Sequence, residues 1–305
     1  MKLKVYDEGL YIENPQDFKI KHTFDCGQCF RWNEQEDGSF IGVVSGRVIR
    51  AFESNGAVYF QGAKKEDIDL LTDYFDLECD YSSIKNTISK NDSVLEEAIK
   101  SGYGIRVLNQ DPFETIISFI ISARNSIPII KKTVENLSRL YGDEIIFKGK
   151  TYYKFPTPEQ LSKASEEELR SAGCSFRSPY IYETTRDILD GKVDIYNLKN
   201  KTIDEALVEL TSLKGIGIKV ADCIMLFSMK KRDAFPVDVW IQRIMEHFYI
   251  TEKTSLKKMR EIARDKFKDN AGIAQQYLFY YARDFKGREG FEKEKPTKKT
   301  KKKDK

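Results

Sequence analysis

Lys219 and Asp238 lie nineteen residues apart in the stretch of this chain that is best equipped for chemistry. The amine of a lysine can attack an electrophilic carbon and form a Schiff base, which a carboxylate or a water molecule cannot do. Lys219 must be neutral to attack, and burial favours a neutral amine. Asp238, which ends the segment 235–238, is expected at a helix N-terminus, where it stays ionised and stabilises positive charge that develops nearby. The pair therefore predicts a covalent reaction through an amine, assisted by a carboxylate.

Two glycines precede Lys219. Gly215 and Gly217 separate an apolar segment with helical spacing, 203–213, from a second apolar segment that begins at Ile218. Glycines so close together permit a very tight turn between two helices. They also let a nucleic-acid strand approach without a Cβ in the way, while the first N–H groups of the second helix point at anionic oxygen. The pattern predicts a helix-hairpin-helix that binds the DNA backbone rather than the base sequence.

The same hairpin is found in non-catalytic DNA-binding modules of ligases and polymerases. In such a module Lys219 would be an ordinary surface lysine and Asp238 a helix-capping residue. The spacing alone leaves both interpretations open.

Length and composition bound the class of protein. A chain of 305 residues can form two domains with sizeable cores, and 40% apolar with 32% charged residues is typical of a soluble globular protein. The longest apolar run, near 116–121, is far shorter than the roughly 18–20 residues of a membrane span, and the N-terminus does not resemble a signal peptide. We therefore expect no membrane partner and an intracellular location, in the cytoplasm and nucleoid of a bacterium or the nucleus of a eukaryote.

The net charge of +3 is unevenly distributed. Residues 291–305 carry eight lysines and three acidic residues, or +5, so the rest of the chain sums to −2. DNA binding must then rest on local arrangement more than on overall charge. The Lys-rich tail, 291–305, is predicted to be disordered, and it is either a solubilising end or a weak attractor of phosphates.

The five cysteines argue against a disulfide framework, because their number is odd. Cys26 and Cys29 have the spacing of a redox pair or of half a zinc site. No second Cys or His pair lies at ligand distance, and the pair does not sit between a strand and a helix of a βαβ unit. We therefore expect no metal site.

The first 62 residues contain short β-branched and aromatic runs, and from Lys64 onward the apolar pattern becomes helical. Strands are predicted at 29–33, 39–44, 47–53 and 57–61, separated by hairpin turns. Helices are predicted at 65–76 and 94–100, from Asp111 and Pro112 onward, and then in succession almost to residue 286. This order predicts an α+β protein, with an N-terminal antiparallel β-rich domain and flanking helices at 1–105 and a mostly α-helical helix-hairpin-helix domain at 106–290.

Four segments, in chain order, resemble those of one enzyme family. Residues 24–32 are similar to its Gly-Gln-Ser/Cys-Phe-Arg-Trp segment, 215–223 to its Gly-x-Gly-x-Lys-Val-Ala-Asp-Cys segment, 235–238 to its Gly-Pro-Asp type loop, and 271–279 to its Ala-Gly-x-Ala-Gln-x-x-Leu-Phe helix. The chain therefore resembles the helix-hairpin-helix DNA glycosylases, and among them the 8-oxoguanine DNA glycosylase/AP lyase branch. The resemblance covers about residues 24–285 and makes 106–290 the glycosylase domain.

The resemblance implies a bifunctional enzyme of base excision repair that acts on double-stranded DNA containing 8-oxoguanine. Lys219 is then the nucleophile at the sugar C1′, its Schiff base allows β-elimination on the 3′ side, and Asp238 is the assisting carboxylate. It further implies a monomer, chemistry without a metal cofactor, and a hairpin that can hold a monovalent cation between its carbonyls and a DNA phosphate.

A base inside a duplex must be flipped out before its C1′ is reachable. By resemblance, Phe279 stacks on one face of the flipped base, Cys223 supports the other, and Gln275 reads its pairing edge. The Gly27 carbonyl accepts the N7–H that only the oxidised guanine has, whereas the N7 of guanine is an acceptor and would face it unpaired. Gln275 and Phe279 are four residues apart, which a helix face packed in the core also predicts.

Other positions resemble the residues with which the family grips DNA. Phe176 corresponds to an aromatic wedge beside the extruded nucleotide and Arg177 to its neighbouring arginine, although a Phe buried at a helix start would look the same in sequence. Gly215 and Gly217 are expected at the DNA backbone. Trp240 stands where the family usually has a histidine, and it is also expected near DNA.

One segment departs from the family pattern. The family has successive asparagines and then an arginine, which fill the hole left by the flipped base and contact the orphaned cytosine. Arg124 and Asn125 are expected at this place, but Arg124 replaces the first asparagine and Ile129 replaces the arginine. We therefore expect weaker selection of the base opposite the lesion.

Two classes of function compete with this interpretation. A related glycosylase for alkylated bases or oxidised pyrimidines is one; Lys219 argues against the monofunctional alkyl-base type, and the lack of a four-cysteine motif after residue 240 argues against the iron–sulfur branch. A non-catalytic DNA-binding module is the other, and in it Lys219 would be dispensable.

Overall fold

The computed structural model describes residues 1–284. Its N-terminal part is a sheet of strands β1 (Lys4–Tyr6), β2 (Gly9–Glu13), β3 (Asn33–Glu34), β4 (Phe40–Val44), β5 (Arg47–Ser54) and β6 (Ala57–Gln61). All pairs are antiparallel, and the spatial order is β1-β2-β6-β5-β4-β3. Asn55 and Gly56 join β5 to β6 with φ of 48° and 73°, the positive values that a two-residue hairpin turn needs.

One face of the sheet packs on an aromatic core. Phe24, from helix α1 (Ile20–Asp25), stacks on Trp32 with ring centroids 4.1 Å apart, and Trp32 donates a hydrogen bond to the Tyr74 hydroxyl at 2.9 Å. Gly42 in β4 makes room for this indole, because a Cβ there would lie 2.4 Å from it. The core thereby fixes both ends of the segment 24–32.

The rest of the described chain is mainly helical. The sheet is followed by α2 (Ile68–Tyr74), α3 (Tyr81–Ile88), α4 (Ser93–Ser101), α5 (Pro112–Ser122) and α6 (Ile127–Tyr141). A hairpin of β7 (Glu144–Phe147) and β8 (Lys150–Tyr153) comes next. The later helices are α7 (Pro158–Leu161), α8 (Glu166–Leu169), α9 (Ser178–Leu189), α10 (Ile203–Ser212), α11 (Ile218–Ser228), α12 (Val239–Ile244), α13 (Leu256–Phe267) and α14 (Ala271–Asp284).

Helix α5 lies at the centre of the helical core. It begins where the sequence predicts, because Asp111 accepts the Glu114 N–H at 2.9 Å and Pro112 takes the first helical position. Its residues from Ile116 to Ile121 are buried, and it packs against α11. α5 thus supports the helix that carries Lys219 by packing against it.

The predicted α+β order is confirmed, with the antiparallel sheet first and the helical domain after it. Tyr81 of α3 and Leu95 of α4 belong to the helical core, and α4 packs on α14, so these helices join the second part by packing. The limits at 1–105 and 106–290 stay a prediction. Residues 285–290 and the tail at 291–305 lie outside the described residues.

Two local predictions are wrong. The strand predicted at 29–33 is irregular except for its last residue, because Trp32 enters the core of the sheet while Phe30 enters the helical core. The β7–β8 hairpin was not predicted; its turn, Lys148-Gly149, has positive φ at both residues. Among residues 1–284, no helix combines the length and the apolar character that a bilayer crossing requires.

Candidate active site

The turn between α10 and α11 is as tight as the two glycines predict. Gly215 has φ of +79°, and a Cβ on it would lie 2.8 Å from the Cβ of Tyr180 in α9. Thr184, one turn further along α9, donates its hydroxyl to the Lys214 carbonyl at 2.9 Å. Gly217 differs, because its φ of −93° suits any residue and the space around its missing side chain is open. Folding therefore requires Gly215 to be glycine, whereas nothing within the described protein requires it of Gly217.

We expect the two glycines to separate stability from binding. Gly215→Ala places a side chain in a left-handed conformation, which costs about 1–2 kcal/mol before its contact with Tyr180 is counted. Gly217→Ala should change the free energy of unfolding by about 1 kcal/mol or less, since it alters only a helix cap. It should nevertheless weaken binding to undamaged duplex, because its Cβ stands where a phosphate would approach. Denaturant unfolding and DNA titration of both variants test this, and tight binding by Gly217→Ala would place the phosphate elsewhere.

The two predicted catalytic residues stand at the starts of two helices. Lys219 is on the first turn of α11, and Asp238 caps α12, where its carboxylate accepts the Ile241 N–H at 2.9 Å. Burial raises the pKa of Asp238, while the Ile241 N–H and the charge of Lys219 oppose that rise. Lys219 is half-buried rather than fully enclosed. The amine of Lys219 and the carboxylate of Asp238 are therefore near enough for their charges to interact.

Cys223 lies one turn after Lys219 on the same helix. It is buried, and burial raises the pKa of its thiol to about 11, against the opposing charge and hydrogen bond of Lys219. The thiol is therefore protonated at neutral pH and presents a small, soft, neutral surface next to the amine.

Helix α11 is held by a pair that the sequence did not single out. Arg260 of α13 donates two hydrogen bonds to the Asp222 carboxylate, at 2.7 and 2.8 Å, and both side chains are buried. Such a bidentate pair fixes orientation as well as distance. Asp222, although adjacent to Cys223, therefore anchors the helix and does not face the chemistry.

Gly27 and Phe279 are far apart in the sequence but lie next to each other in the structure. Gly27 has φ of +77°, and a Cβ on it would lie 3.0 Å from the Phe279 ring. Arg283, one turn later on α14, donates to the Asp25 carbonyl at 2.6 Å and ties the helix to this loop. Phe279 is half-buried, so it is not simply a core residue, whereas Gln275 is buried and accepts a hydrogen bond from the Gln276 amide at 2.8 Å.

Gln28 anchors the loop that contains Gly27 through hydrogen bonds to the backbone. Its buried amide donates to the carbonyls of Thr23 and Arg106, at 2.9 and 2.7 Å, and its side-chain oxygen accepts the Leu108 N–H at 2.9 Å. Every polar atom of the side chain is therefore bonded, which sets the position of the neighbouring Gly27 carbonyl. Sequence reasoning missed this role, and the only sign of it was a polar amide between two cysteines, next to Gly27.

Cys26 and Cys29 are both buried and unbridged. Burial raises the pKa of Cys26 to about 12 and that of Cys29 well above its usual value. Thiols in this state are poor nucleophiles and poor metal ligands. Among residues 1–284, no three His, Cys, Asp or Glu side chains are placed to hold a metal ion together.

Phe176 projects from the surface, and Arg177 beside it is buried. Phe176 is 49% exposed, which excludes a Phe buried at a helix start, and the Arg177 guanidinium lies 4.2 Å from its ring centroid. Arg177 itself is buried and donates to the carbonyls of Ala123, at 2.9 Å, and Arg124, at 3.3 Å. Arg177 thus joins Phe176 to the loop between α5 and α6 and does not extend freely into solvent.

The loop between α5 and α6 carries the remaining predicted contacts. Arg124 is exposed with φ of +53°, and Asn125 donates to the Ile121 carbonyl at 3.2 Å. Ile129 follows on the first turn of α6 and is 53% exposed. Trp240 is half-buried on the first turn of α12, the helix that Asp238 caps, and the Arg243 guanidinium lies 5.1 Å from its ring centroid.

Comparison with known proteins covers both parts of the chain. Residues 11–116 match the 8-oxoguanine DNA glycosylase N-terminal domain, and residues 117–269 match the HhH-GPD superfamily of base excision DNA repair proteins. The chain is 36% identical over 244 residues to the probable N-glycosylase/DNA lyase of Methanothermobacter thermautotrophicus, which spans 73% of this chain and 76% of the relative. It is 30% identical over 277 residues to an N-glycosylase/DNA lyase of Arabidopsis thaliana, or 84% of this chain and 75% of that protein.

A solved structure agrees along almost the whole length. The crystal structure of Clostridium acetobutylicum 8-oxoguanine glycosylase/lyase, in complex with dsDNA containing cytosine opposite 8-oxoguanine, superposes with a TM-score of 0.90 at 41% identity. The match covers 93% of this chain and 98% of that one. The similarity therefore includes both the sheet and the hairpin-bearing helices.

Proposed function

The chain belongs to the HhH-GPD superfamily of base excision DNA repair proteins, in its 8-oxoguanine glycosylase branch, and from this we propose how its residues carry out the reaction. It is a bifunctional N-glycosylase and AP lyase that acts on 8-oxoguanine in duplex DNA. The observation that carries our assignment is the placement of Lys219 and Asp238 at the starts of α11 and α12, near enough for their charges to interact, just after the glycine turn.

Lys219 attacks as a neutral amine, after it has given up a proton. Its Nζ bonds to C1′ of the flipped nucleotide while the C1′–N9 bond breaks, and one Nζ proton is passed to the departing base. Asp238, whose charge interacts with that of Lys219, stabilises the positive charge that builds on the sugar during this step. The pKa of Asp238 is raised because burial makes its carboxyl group harder to ionise, and the hydrogen bond from the Ile241 N–H partly offsets this effect.

The second half of the reaction breaks the strand. The C1′–O4′ bond opens, O4′ takes a proton, and a cationic C1′=Nζ Schiff base remains on Lys219. Loss of a C2′ proton then allows the C3′–O3′ bond to break, which is β-elimination. Water finally hydrolyses the Schiff base and returns the amine.

Lesion recognition uses two segments that are distant in the sequence, the loop that contains Gly27 and helix α14. The Gly27 carbonyl accepts the N7–H of 8-oxoguanine, Phe279 stacks on the base, and Cys223 lies on its other face as a neutral thiol. Gln275 reads the pairing edge. The network around Gln28 supports this assignment, because a carbonyl held in place discriminates better than a mobile one.

The wedge and the hairpin hold the distorted duplex. Phe176 enters the helix beside the flipped nucleotide, Arg177 and Asn125 position the neighbouring loop, Arg124 and Trp240 lie along the strands, and Gly217 admits a phosphate. The enzyme acts as a monomer where the cell keeps its DNA. A monovalent cation at the hairpin remains a prediction; the Lys214 and Leu213 carbonyls already accept hydrogen bonds from Thr184 and Ile216.

Borohydride trapping on 8-oxoguanine duplex tests the proposed function. The protein should give a covalent adduct and a nicked strand with the lesion duplex, and neither product with an undamaged duplex of the same sequence. A duplex carrying an alkylated base in place of 8-oxoguanine serves as the control for substrate class. Excision of that base and not of 8-oxoguanine would overturn the assignment.

The exposed Ile129 predicts weak selection of the opposite base. Cytosine is distinguished by donors aimed at its O2 and N3, each worth about 1–3 kcal/mol. Ile129 has no donor, and most donors of Arg177 are bound to backbone carbonyls. We expect single-turnover excision opposite A, G or T to lie within about tenfold of excision opposite C, and Ile129→Arg to sharpen the preference. A hundredfold preference for C in the unaltered protein would show that other residues read the orphaned base.

A further inference from the structure

The ring of Phe119 lies under the amine of Lys219. The Lys219 Nζ is 5.5 Å from the ring centroid, within the range in which an aromatic face attracts a cation. Phe119 belongs to α5 and is only 3% exposed, so the interaction is shielded from water on the side of the ring. No acidic side chain is needed to account for this contact, since the ring quadrupole supplies the negative potential.

The ring is held rigidly by two others. Phe30, from the segment that carries Gly27, meets Phe119 edge to face with centroids 5.5 Å apart, and Phe227 of α11 stacks on it at 5.5 Å. Phe119 therefore connects the base-reading segment, helix α5 and the helix of the nucleophile. The position of the ring beside α11 is therefore set by packing.

We propose that Phe119 is a positioning residue that stabilises the cationic Schiff base formed on Lys219. This rests on the function proposed above. An aromatic face attracts a positive nitrogen but not a neutral amine. The nitrogen is neutral when it attacks C1′ and positive once the C1′–O4′ bond has opened. The ring therefore favours the Schiff base and the β-elimination that follows from it, whereas it does not assist the attack of the neutral amine that releases the base.

Fluorinated phenylalanines at position 119 test this without changing the shape of the core. Mono-, di- and trifluorination of the ring progressively weaken the attraction of its face for a cation. The rate of β-elimination on abasic-site duplex, and the yield of borohydride adduct, should fall by roughly two- to thirtyfold across the series. Release of 8-oxoguanine under single-turnover conditions should not fall by more than about twofold, by the same argument.

The same substitutions at Phe227 are the matched control. Phe227 belongs to the same aromatic cluster and stacks on Phe119. Fluorination there should leave both rates unchanged. Equal losses at the two positions, or a parallel fall in base release and β-elimination at position 119, would assign Phe119 a purely structural role and overturn the inference.

Phe119→Leu is a second variant that needs no unnatural residue. With its thermal unfolding recorded, it should retain more base release than β-elimination, and an even loss of both would again contradict the proposal. Failure of the proposed function looks different, because then the unaltered protein itself would give no adduct. An adduct in the unaltered protein with a flat fluorination series rejects only the role of Phe119.

Discussion

Replacing Lys219 with glutamine should abolish both the borohydride-trapped adduct and strand cleavage, the largest effect that we expect of any single change. Glutamine has a similar reach, but its amide nitrogen is not nucleophilic and cannot form a Schiff base. Lys219 is half-buried on the first turn of α11, so the variant should fold. It should also bind lesion duplex, since we propose that the hairpin contacts phosphates mainly through its backbone.

The matched control is Lys214→Gln in the same hairpin. Lys214 is exposed and lies 3.7 Å from Glu183, a surface pair worth about 1 kcal/mol or less. This variant should keep the adduct and the nicked product. An adduct that persists in Lys219→Gln and disappears in Lys214→Gln would move the nucleophile to the other lysine.

Asp238→Asn should reduce single-turnover base release by about 10²–10³-fold, as expected when one group that stabilises a transition-state charge is removed. Asparagine caps a helix as well as aspartate does and can accept the same Ile241 N–H. What the variant loses is the negative charge next to Lys219. The adduct should therefore form slowly, yet on the same residue.

The stability of Asp238→Asn should be unchanged or higher. Burial raises the pKa of Asp238 in the folded state, so above the unfolded pKa of about 3.9 its ionisation opposes folding. Removing the charge should therefore not lower the unfolding temperature at neutral pH. If Asp238 were only a cap, the variant would keep the base-release rate of the unaltered protein, because asparagine caps the helix equally well.

Asp111→Asn provides the matched control for this change. Asp111 also caps a helix, accepts the Glu114 N–H at 2.9 Å, and has a pKa raised by burial. It lies away from Lys219 and carries no proposed role in the reaction. It should match Asp238→Asn in stability and the unaltered protein in base release.

Short segments of the sequence were enough to predict the local chemistry. Gly215 and Gly217 predict the tight turn, Asp111 and Asp238 predict helix caps, and Asn55-Gly56 predicts a hairpin, and all of them are present. Such features depend on the backbone preferences and hydrogen bonds of a few neighbouring residues. The sequence therefore also determined that Lys219 would stand on the first turn of a helix.

Only the tertiary structure decided which distant groups meet. Phe279 could belong to a core stripe until its ring was found against Gly27, and Arg177 could extend toward DNA until its donors were found on Ala123 and Arg124. Phe119 gave no sign in the sequence of its place under Lys219. Contacts of this kind depend on how whole helices and the sheet pack, because burial is set by every surface that an element covers, and no local pattern contains that information.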